Sequence, residues 1–364
     1  MENGNCFSLY PTPLVSPALP YNGRMRSRGE FELIERIKSL NLSGGRYVKI
    51  GIGDDCAVLA PPAGNELTVT TDMLVEGIDF RRSWMPPAFL GWKSLAVSLS
   101  DLAAMGAQPI GCLLALALPP ALTDRYFDEF IEGFLRASEL WSAPLAGGDL
   151  SASEIVSVTV TAFGTVPAGQ AIRRRGAVPG DLVVVVGDLG LSRLGLELLE
   201  MERLLLAEKL TQPEELDNWA QSDRKARALR AHLLPRPLLS VGAWVRENRL
   251  AHAMIDVSDG LLADLQHILE ESQTAAELDV ESLSRLRPRT DTIMDLDFVL
   301  NGGEDYALLL ALTPEQFEIM TEQHPAEFPD FSAIGRIVEG PPSVYLTEEG
   351  QKKRYPMRGF EHFR

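Results

Sequence analysis

The segment WKSLAVSLSDLAAM, residues 92–105, has apolar residues at helical spacing and few helix-breaking residues, which predicts a helix. On its N-terminal side, ELTVTTD (66–72) is rich in β-branched residues and bounded by turns, as is typical of a strand. On its C-terminal side, the apolar run GCLLALALP (111–119) predicts a buried strand that stops at prolines. The pattern therefore predicts a strand–helix–strand unit with acids at element ends, among them Asp72 and Asp101.

Further elements extend from this unit in both directions. In the first half, helices are expected at 29–40 and 123–141, and a strand at 155–166. A segment rich in Gly, Pro and Arg (167–181) is typical of a linker. The pattern then predicts a strand and turn at 181–190, helices at 191–210 and 238–248, a strand–turn–helix at 253–272, and strands at 305–312 and 331–338. This mixture predicts an α+β fold of two α/β halves rather than a doubly wound sheet.

We expect three parts in the chain. Residues 1–28 carry prolines at positions 11, 13, 17 and 20, which block helix and ladder formation, so we expect a flexible tail. The tail lacks the charged-then-apolar order of a secretory signal, and Met25 is an alternative start. Residues 29–168 form the predicted N-terminal domain, and residues 169–364 form the predicted C-terminal α/β domain.

Composition and charge argue against several classes of protein. Among 364 residues, 34 Lys and Arg stand against 51 Asp and Glu, a formal charge of −17. Such a field repels phosphate backbones and anionic lipids, so we expect no nucleic-acid or membrane partner, and an anionic ligand would need cations to mediate. Three widely spaced cysteines without CxxC fit a reducing compartment, and no apolar run approaches the ~20 residues of a membrane span. We therefore expect a cytoplasmic protein.

Acidic residues recur at the ends of predicted elements, beside glycine or small residues. They occur in GIGDDCAV (Asp54, Asp55), TTDMLVEG (Asp72), SLSDLAAMGA (Asp101), AGGDLS (Asp149), IDVSDGL (Asp256, Asp259) and NGGEDYAL (Glu304, Asp305). Burying an unpaired carboxylate is costly, and few basic residues flank these motifs. One such motif alone is more often a turn or cap than a ligand. Together they predict a nucleotide held through Mg²⁺, which binds a few carboxylates and substrate phosphates.

The familiar nucleotide-binding motifs are absent from the sequence. It contains no GxxxxGK[ST], no GxGxxG after a strand and no HRD and DFG pair. A site for metal-bound nucleotide must therefore belong to another architecture. For the arginine run at 173–175, a solvated linker and a phosphate clamp at a domain junction are weighed evenly. Cys56 has no nearby His or Lys to activate it, so we expect a buried cysteine rather than a nucleophile.

Eight motifs occur in one order along the chain: GIGDDCAV, TTDMLVEG, GWKSLAVSLSDLAAMGAQP, AGGDLS, RRRGAVPGD, IDVSDGL, GGEDYAL and GFEHF. In this order they resemble the thiamine-monophosphate kinase family, which belongs to the aminoimidazole ribonucleotide synthetase superfamily. The resemblance runs from about Gly29 to the C-terminus, and LSDLAAMGA with GGEDY is its most specific part. It implies transfer of the γ-phosphoryl group of ATP onto thiamine monophosphate, the last step of thiamine diphosphate biosynthesis.

The resemblance also implies a mechanism and an assembly. It implies direct in-line transfer with several Mg²⁺ ions and no phosphoenzyme, and it leaves a K⁺ requirement open. It implies that the N-terminal sheet pairs with that of a second subunit to form a barrel across a homodimer. The C-terminal α/β domain would then close over the nucleotide cleft.

Motif by motif, the resemblance implies roles for named residues. The implied Mg²⁺ ligands are Asp55, Thr70, Thr71, Asp72, Asp101, Asp149, Asp256 and Asp259, with Asp54 as a supporting acid. The implied nucleotide contacts are Gly148, Asp149, Arg174 and Ser258, and the implied thiamine contacts are Glu304 and Phe360. No general base is expected, because a phosphate monoester is largely ionised near pH 7. The transfer would instead rest on the metal ions and Arg174.

Two positions depart from the family pattern. Asp79 in VEGIDF stands where many members have a histidine that meets the substrate. An acid there would suit a cationic thiazolium but not a phosphate, and we expect Asp79 to line the substrate pocket. Leu150 replaces a hydroxyl residue that often follows GGD.

Two alternative functions are weighed against this one. Aminoimidazole ribonucleotide synthetase and selenophosphate synthetase share ATP and the acidic motifs but use other acceptors. GGEDYAL and GFEHF favour thiamine monophosphate, and Cys6 lacks the glycine-rich, lysine-bearing context of a selenophosphate synthetase. A non-catalytic protein that binds Mg²⁺ or Ca²⁺ is the other alternative, and the sequence contains no EF-hand loop to support it.

Overall fold

The computed structural model describes residues 28–41, 45–202, 212–286 and 296–354. In the N-terminal half, the elements follow in the order α1 (Glu30–Leu40), β1 (Val48–Ile50), β2 (Val58–Leu59), β3 (Asn65–Val75), α2 (Pro87–Ala104), β4 (Gln108–Leu118), α3 (Asp124–Leu140), β5 (Leu145–Ala152) and β6 (Ser157–Pro167). β1 pairs with β2, and the other strands form a sheet of order β3-β6-β4-β5. β4 and β5 run parallel, and the other pairs of this sheet are antiparallel.

Helix α2 lies at the centre of the N-terminal half. Every residue of α2 is buried except Asp101, near its C-terminal end. α2 crosses α3 at two glycines: a Cβ on Gly91 would lie 2.1 Å from the Phe130 carbonyl oxygen, and one on Gly133 would lie 1.9 Å from that of Ala88. Because the two backbones touch, α2 is fixed in place with its one accessible acid at the end.

The C-terminal half is built on a second, larger sheet. Its elements are β7 (Leu182–Val186), α4 (Leu191–Glu202), α5 (Pro213–Ala220), α6 (Arg224–Leu233), α7 (Leu239–Glu247), β8 (Ala253–Asp256), α8 (Leu261–Ser272), β9 (Ala275–Asp279), α9 (Val280–Arg285), α10 (Leu296–Asn301), β10 (Leu308–Leu312), α11 (Pro314–Gln323), β11 (Phe331–Val338), β12 (Val344–Glu348) and β13 (Gln351–Arg354). The strand order is β13-β12-β9-β11-β7-β10-β8, and among the described strands β9 and β12 pair in parallel while the others pair antiparallel. β8 is buried along its whole length, lies at the edge of the sheet and contacts α2.

Helix α2 also joins the two halves. The indole N–H of Trp92 donates to the Pro235 carbonyl at 3.0 Å. At the other end of α2, a Cβ on Gly242 of α7 would lie 1.9 Å from the Ala103 carbonyl oxygen. The halves are therefore packed together along α2, and the side chains at its C-terminal end face elements of both halves.

The mixed α/β fold is confirmed, and several element ends differ from the prediction. α2 begins at Pro87, five residues before the predicted start, because proline suits the first helical turn. β10 begins at Leu308 rather than at 305, because Glu304 and Tyr306 have φ angles of 62° and 52°, outside the strand region. The predicted helix at 191–210 contains α4, and its residues 203–210 lie outside the described ones.

Two expectations, the flexible N-terminal tail and the barrel across a dimer, concern parts that the described residues of one chain do not include. Residues 1–27 of the predicted tail lie outside the described residues, and Arg28 at its end pairs with Asp128 at 2.7 Å. The four-stranded sheet is open in the single chain, so the barrel expected across a dimer is not formed here. Within the described ranges, the helices are too short or too polar to cross a membrane.

Candidate functional site

Carboxylates from both halves meet at the C-terminal end of α2. Strand alternation puts Thr70 and Asp72 of β3 on the same face, and the Thr70 hydroxyl donates to the Asp101 carboxylate. From the other half, Asp256 ends β8, and its carboxylate accepts from the Ser100 hydroxyl at 2.6 Å. We call Asp72, Asp101 and Asp256 the interdomain acid cluster.

Burial and mutual repulsion raise the pKa values of two members of the cluster, Asp72 and Asp256. Burial raises the pKa of Asp72 to about 6, and the charge of Asp101 acts in the same direction. Burial raises the pKa of Asp256 to about 7, with Asp101 and then Asp72 adding to the rise. Ionisation of Asp72 and Asp256 therefore costs more than in a free carboxyl group, and a cation among them would favour it.

The interdomain acid cluster offers oxygen ligands to a cation but is not a complete metal cage. Asp72 Oδ2 is buried and has no hydrogen-bond donor. An Mg²⁺ ion would satisfy such an oxygen, and its usual ligands are a few carboxylates together with phosphate oxygens. Within the described ranges, no group of three or more His, Cys, Asp or Glu side chains is arranged to hold a metal ion by itself. Oxygens from water and from a phosphate would therefore complete the coordination.

A tight turn after β8 lies beside the cluster and leads into α8. Gly260 in this turn has a φ of 117°, a conformation that favours glycine. The Asp264 carboxylate accepts from the backbone N–H groups of Ser258 at 3.0 Å, Asp259 at 3.0 Å and Gly260 at 3.1 Å. Burial, followed by the charges of Asp259 and Asp256, raises the pKa of Asp264 to about 8. One buried acid thus fixes the turn that carries Ser258 and Asp259.

The loop before β10 packs on this turn. The backbone N–H of Glu304 donates to the Ser258 carbonyl at 2.7 Å, and a Cβ on Gly303 would lie 2.7 Å from the same oxygen. The Asp305 carboxylate points elsewhere and accepts from the backbone N–H of Ser192 at 3.1 Å, at the start of α4. Glu304, a predicted thiamine contact, therefore lies against Ser258, a predicted nucleotide contact.

Two buried groups hold the Glu304 carboxylate. Its Oε1 lies 2.8 Å from Lys93 Nζ and its Oε2 lies 3.2 Å from His232 Nδ1. Burial would raise the pKa of Glu304, but the charge of Lys93 and the hydrogen bonds from Lys93 and His232 hold it at about 2. Burial and the Lys93 charge lower the pKa of His232. The imidazole is therefore neutral near pH 7 and donates its Nδ1–H to the carboxylate.

Sequence reasoning missed Lys93, His232 and Asp264. Lys93 and His232 lie in segments where apolar spacing predicts packing, and Asp264 resembles an ordinary acid in a first helical turn. The available signal was a lysine within the apolar segment 92–105, because a buried lysine needs an acidic partner.

Several other predicted metal ligands lie apart from the cluster in the single chain. Thr71 points to the opposite face of the sheet, where its hydroxyl lies 3.2 Å from that of Thr161. Asp149 of β5 is exposed on that same face, by the register of the four strands. Asp54 and Asp55 lie in an exposed turn, in which the Asp55 N–H donates to Asp54 Oδ1 at 3.1 Å. The roles of these residues stay predictions.

The predicted nucleotide contacts lie on both halves. A Cβ on Gly148 would lie 1.8 Å from the Leu114 carbonyl oxygen, so β5 and β4 approach at a distance that only glycine allows. Arg174 is exposed in the segment between the halves. This segment is not free of the fold, because the Arg173 carbonyl accepts from the Met254 N–H at 3.0 Å. The arginine run therefore lies alongside β8, which carries one acid of the cluster.

The remaining predicted positions give a mixed result. Asp79 Oδ2 accepts from the Val75 N–H at 2.7 Å and so closes its own turn. Leu150 packs against the core, and Phe360 lies outside the described residues. The predicted burial of Cys56 was wrong: Cys56 is exposed, because it shares the turn of the paired aspartates before the chain enters β2.

Replacing Asp264 should destabilise the turn after β8. The Asp264→Ala variant leaves three backbone N–H groups without their acceptor, and we expect it to lose about 2–4 kcal/mol of unfolding free energy in urea denaturation. Asp279→Ala is the matched control, because Asp279 caps the short helix α9 at an exposed site. The Asp279→Ala variant should lose only about 1 kcal/mol of unfolding free energy, as is typical for loss of a helix cap. Equal losses in the two variants would contradict the role assigned to Asp264.

Two family models match the two halves of the chain. The AIR synthase related protein, N-terminal domain, matches residues 53–166, and the AIR synthase related protein, C-terminal domain, matches residues 178–346. The short stretch between the matches contains the arginine run.

Individual relatives cover most of the chain. The thiamine-monophosphate kinase of Synechococcus elongatus is 37% identical over 320 residues, which are 85% of this chain and 91% of that protein. The crystal structure of thiamine-monophosphate kinase from Stenotrophomonas maltophilia superposes with a TM-score of 0.73 at 36% identity, covering 89% of this chain and 98% of that one. AaThiL complexed with AMPPCP and TMP gives a TM-score of 0.67 at 32% identity, covering 94% and 100%. On these matches, the chain belongs to the thiamine-monophosphate kinase family, within the AIR synthase related proteins.

Proposed function

We propose that this protein transfers the γ-phosphoryl group of ATP to thiamine monophosphate, giving thiamine diphosphate and ADP. The interdomain acid cluster carries the proposal, because it offers carboxylates from both halves and a buried Asp72 oxygen without a donor. Such a site suits a metal-bound nucleotide better than a free anion. The thiamine-monophosphate kinase relatives, and the AaThiL structure with AMPPCP and TMP, support both substrates.

Mg²⁺ is the cation that this donor set fits. Asp72, Asp101 and Asp256 would hold it, with Thr70 and Asp259 beside them. When bound, Mg²⁺ supplies charge neutralisation for the phosphates and a template that keeps them in line. A K⁺ requirement stays open. For further Mg²⁺ ions, the proposed ligands are Asp54, Asp55, Thr71 and Asp149.

Residues of the protein would position the phosphates of ATP and thiamine monophosphate, which repel each other. Gly148 would let the backbone approach the nucleotide closely, and the turn with Ser258 would contact it. Arg174 would add a fixed positive charge at the phosphates. An oxygen of thiamine monophosphate's phosphate attacks the γ-phosphorus, the bond from that phosphorus to the bridging oxygen breaks, and ADP leaves with that oxygen. No general base is needed, because the attacking phosphate is largely ionised near pH 7.

For the thiamine moiety we propose contacts to Glu304 and Phe360. Asp79 is the third proposed substrate residue, since a carboxylate would attract a cationic thiazolium ring. Its Oδ2 accepts from the Val75 N–H at 2.7 Å, which holds the carboxylate in the turn that follows β3.

The open face of the four-stranded sheet supports a homodimer. Leu67, Val69 and Met73 alternate along β3 and are 49%, 56% and 58% exposed. β3 is also an edge strand, and an exposed apolar row along an edge strand promotes pairing with another chain unless it is covered. A second copy on this face would cover the row and close the two sheets into the barrel that the family resemblance implies.

The proposed reaction is tested directly with purified protein. Incubation with MgATP and thiamine monophosphate should give thiamine diphosphate, measured by chromatography with thiochrome fluorescence. Chelation with EDTA should stop the reaction, and added Mg²⁺ should restore it. No thiamine diphosphate, together with turnover of another phosphate acceptor, would refute the proposed substrate.

The metal assignment is tested by Asp72→Asn in the same assay. We expect the rate of thiamine diphosphate formation to fall on the order of 100-fold, because the site loses a charged ligand. The unfolding midpoint should be kept or should rise, because a buried charge is removed. Asp188→Asn is the control, since Asp188 is 61% exposed and pairs only loosely with Arg227 at 3.6 Å. A normal rate in Asp72→Asn would contradict the assignment.

The dimer is tested by placing charge on the open face. We expect wild-type protein to sediment as a dimer and the Val69→Glu, Met73→Glu double variant to sediment as a monomer, because buried carboxylates would oppose the pairing. Met201→Glu on α4 is the control, because Met201 is 78% exposed and lies on the other half. A monomeric wild type, or a double variant that stays dimeric, would overturn the proposed interface.

A further inference from the structure

Lys93, His232 and Glu304 form a buried ionic contact between the two halves, which we call the interdomain clamp. Lys93 comes from α2, His232 from α6 and Glu304 from the loop before β10. Lys93 and His232 have side chains that are 0% exposed, and that of Glu304 is 13% exposed. Lys93 Nζ donates both to the Glu304 carboxylate at 2.8 Å and to the His232 carbonyl at 3.0 Å.

Stability alone does not account for a buried charge at this position. Removing a lysine and a carboxylate from water is costly, and apolar side chains of similar volume often replace a buried ion pair without loss of stability. His232 adds a further cost, because its Nε2 is buried without a hydrogen-bond partner. The clamp fixes the orientation of the Glu304 carboxylate, because both of its oxygens are held.

The clamp fixes the halves at a second point along α2. Lys93 precedes Asp101 by eight residues, which is about 12 Å along a helix axis. At the Asp101 end, Ser100 already bonds Asp256 of the other half at 2.6 Å. The Trp92–Pro235 hydrogen bond joins the halves at the Lys93 end as well, so the clamp adds to a contact that already restrains tilting between the halves.

The clamp reaches the proposed nucleotide site through the backbone of Glu304. Glu304 has a φ of 62°, a conformation that non-glycine residues rarely adopt without support. In this conformation its N–H donates to the Ser258 carbonyl at 2.7 Å, in the turn that also carries Asp259. The clamp holds the Glu304 side chain, and the Glu304 main chain holds the turn with Ser258 and Asp259. The clamp and the turn are therefore linked through this one residue.

We propose that Lys93 and His232 are positioning residues for the nucleotide site. They hold the Glu304 carboxylate, and the Glu304 backbone in turn holds the turn that carries Ser258 and Asp259. Neither Lys93 nor His232 needs to touch the nucleotide. The inference rests on the proposed function and adds to it a dependence of nucleotide affinity on a buried ion pair.

Binding of MgADP in the absence of thiamine monophosphate tests the clamp, because a direct contact of Glu304 with thiamine cannot affect that measurement. We expect Lys93→Met to bind MgADP at least tenfold more weakly by calorimetry. Arg246→Met is the matched control: Arg246 is a buried cation that also joins the halves, through the Gly106 carbonyl at 2.9 Å. It should lose stability while its MgADP affinity stays within twofold of wild type. Equal weakening in both variants, or unchanged affinity in Lys93→Met, would overturn the proposal.

A second variant keeps the test decisive if Lys93→Met does not fold. The Lys93→Met, Glu304→Gln double variant has no uncompensated charge, so its unfolding midpoint should return towards that of wild type. The new amide keeps its contact with His232 but finds no donor on α2, so MgADP affinity should stay at least tenfold reduced. Affinity that recovers together with stability would show a purely structural role. Thiamine diphosphate formation by wild type tests the proposed function separately, so the two can fail independently.

Discussion

Partly buried carboxylates repel one another at the end of α2, and the surrounding packing holds them together. Asp72, Asp101 and Asp256 lie close enough for each to disfavour ionisation of another. Asp101 also lies in the last turn of α2, where the helix dipole is unfavourable to an anion. Natural proteins accept such local conflicts mainly at functional sites. A cation shared with phosphate would remove the conflict, so the same feature that costs stability creates the binding site.

The repulsion persists because the surrounding structure cannot relax. α2 meets α3 at Gly91 and Gly133 and meets α7 at Gly242, in each case with backbone against backbone. Contacts of this kind leave no space for a helix to shift and separate the acids. The C-terminal half adds its own restraint, since one carboxylate, Asp264, fixes the turn after β8. Rigidity on both sides is what a preorganised phosphate site requires.

The sequence predicts well what depends on local pattern. Apolar spacing predicted α2, with Asp101 in its last turn. β-Branched composition predicted β3, although β3 continues three residues past Asp72 to Val75. The face of a strand on which a residue lies was predicted less well. Thr70 and Thr71 were assigned to one set of ligands, although alternation puts neighbours on opposite faces, and the structure separates them. Contacts between the halves, such as Lys93 with Glu304, depend on packing over long sequence separations. A lysine in an apolar segment signals that an acidic partner is needed, but it does not identify that partner.

A crystal structure of the protein with Mn²⁺ in place of Mg²⁺ and a non-hydrolysable ATP analogue tests the central claim most directly. Anomalous scattering distinguishes Mn²⁺ from water and lighter ions. We expect an anomalous peak at about 2 Å from Asp72 Oδ2, with Asp256 and a phosphate oxygen in the same coordination sphere. Nucleotide bound with no metal peak at these carboxylates, or with Asp72 turned away from the metal, would contradict it.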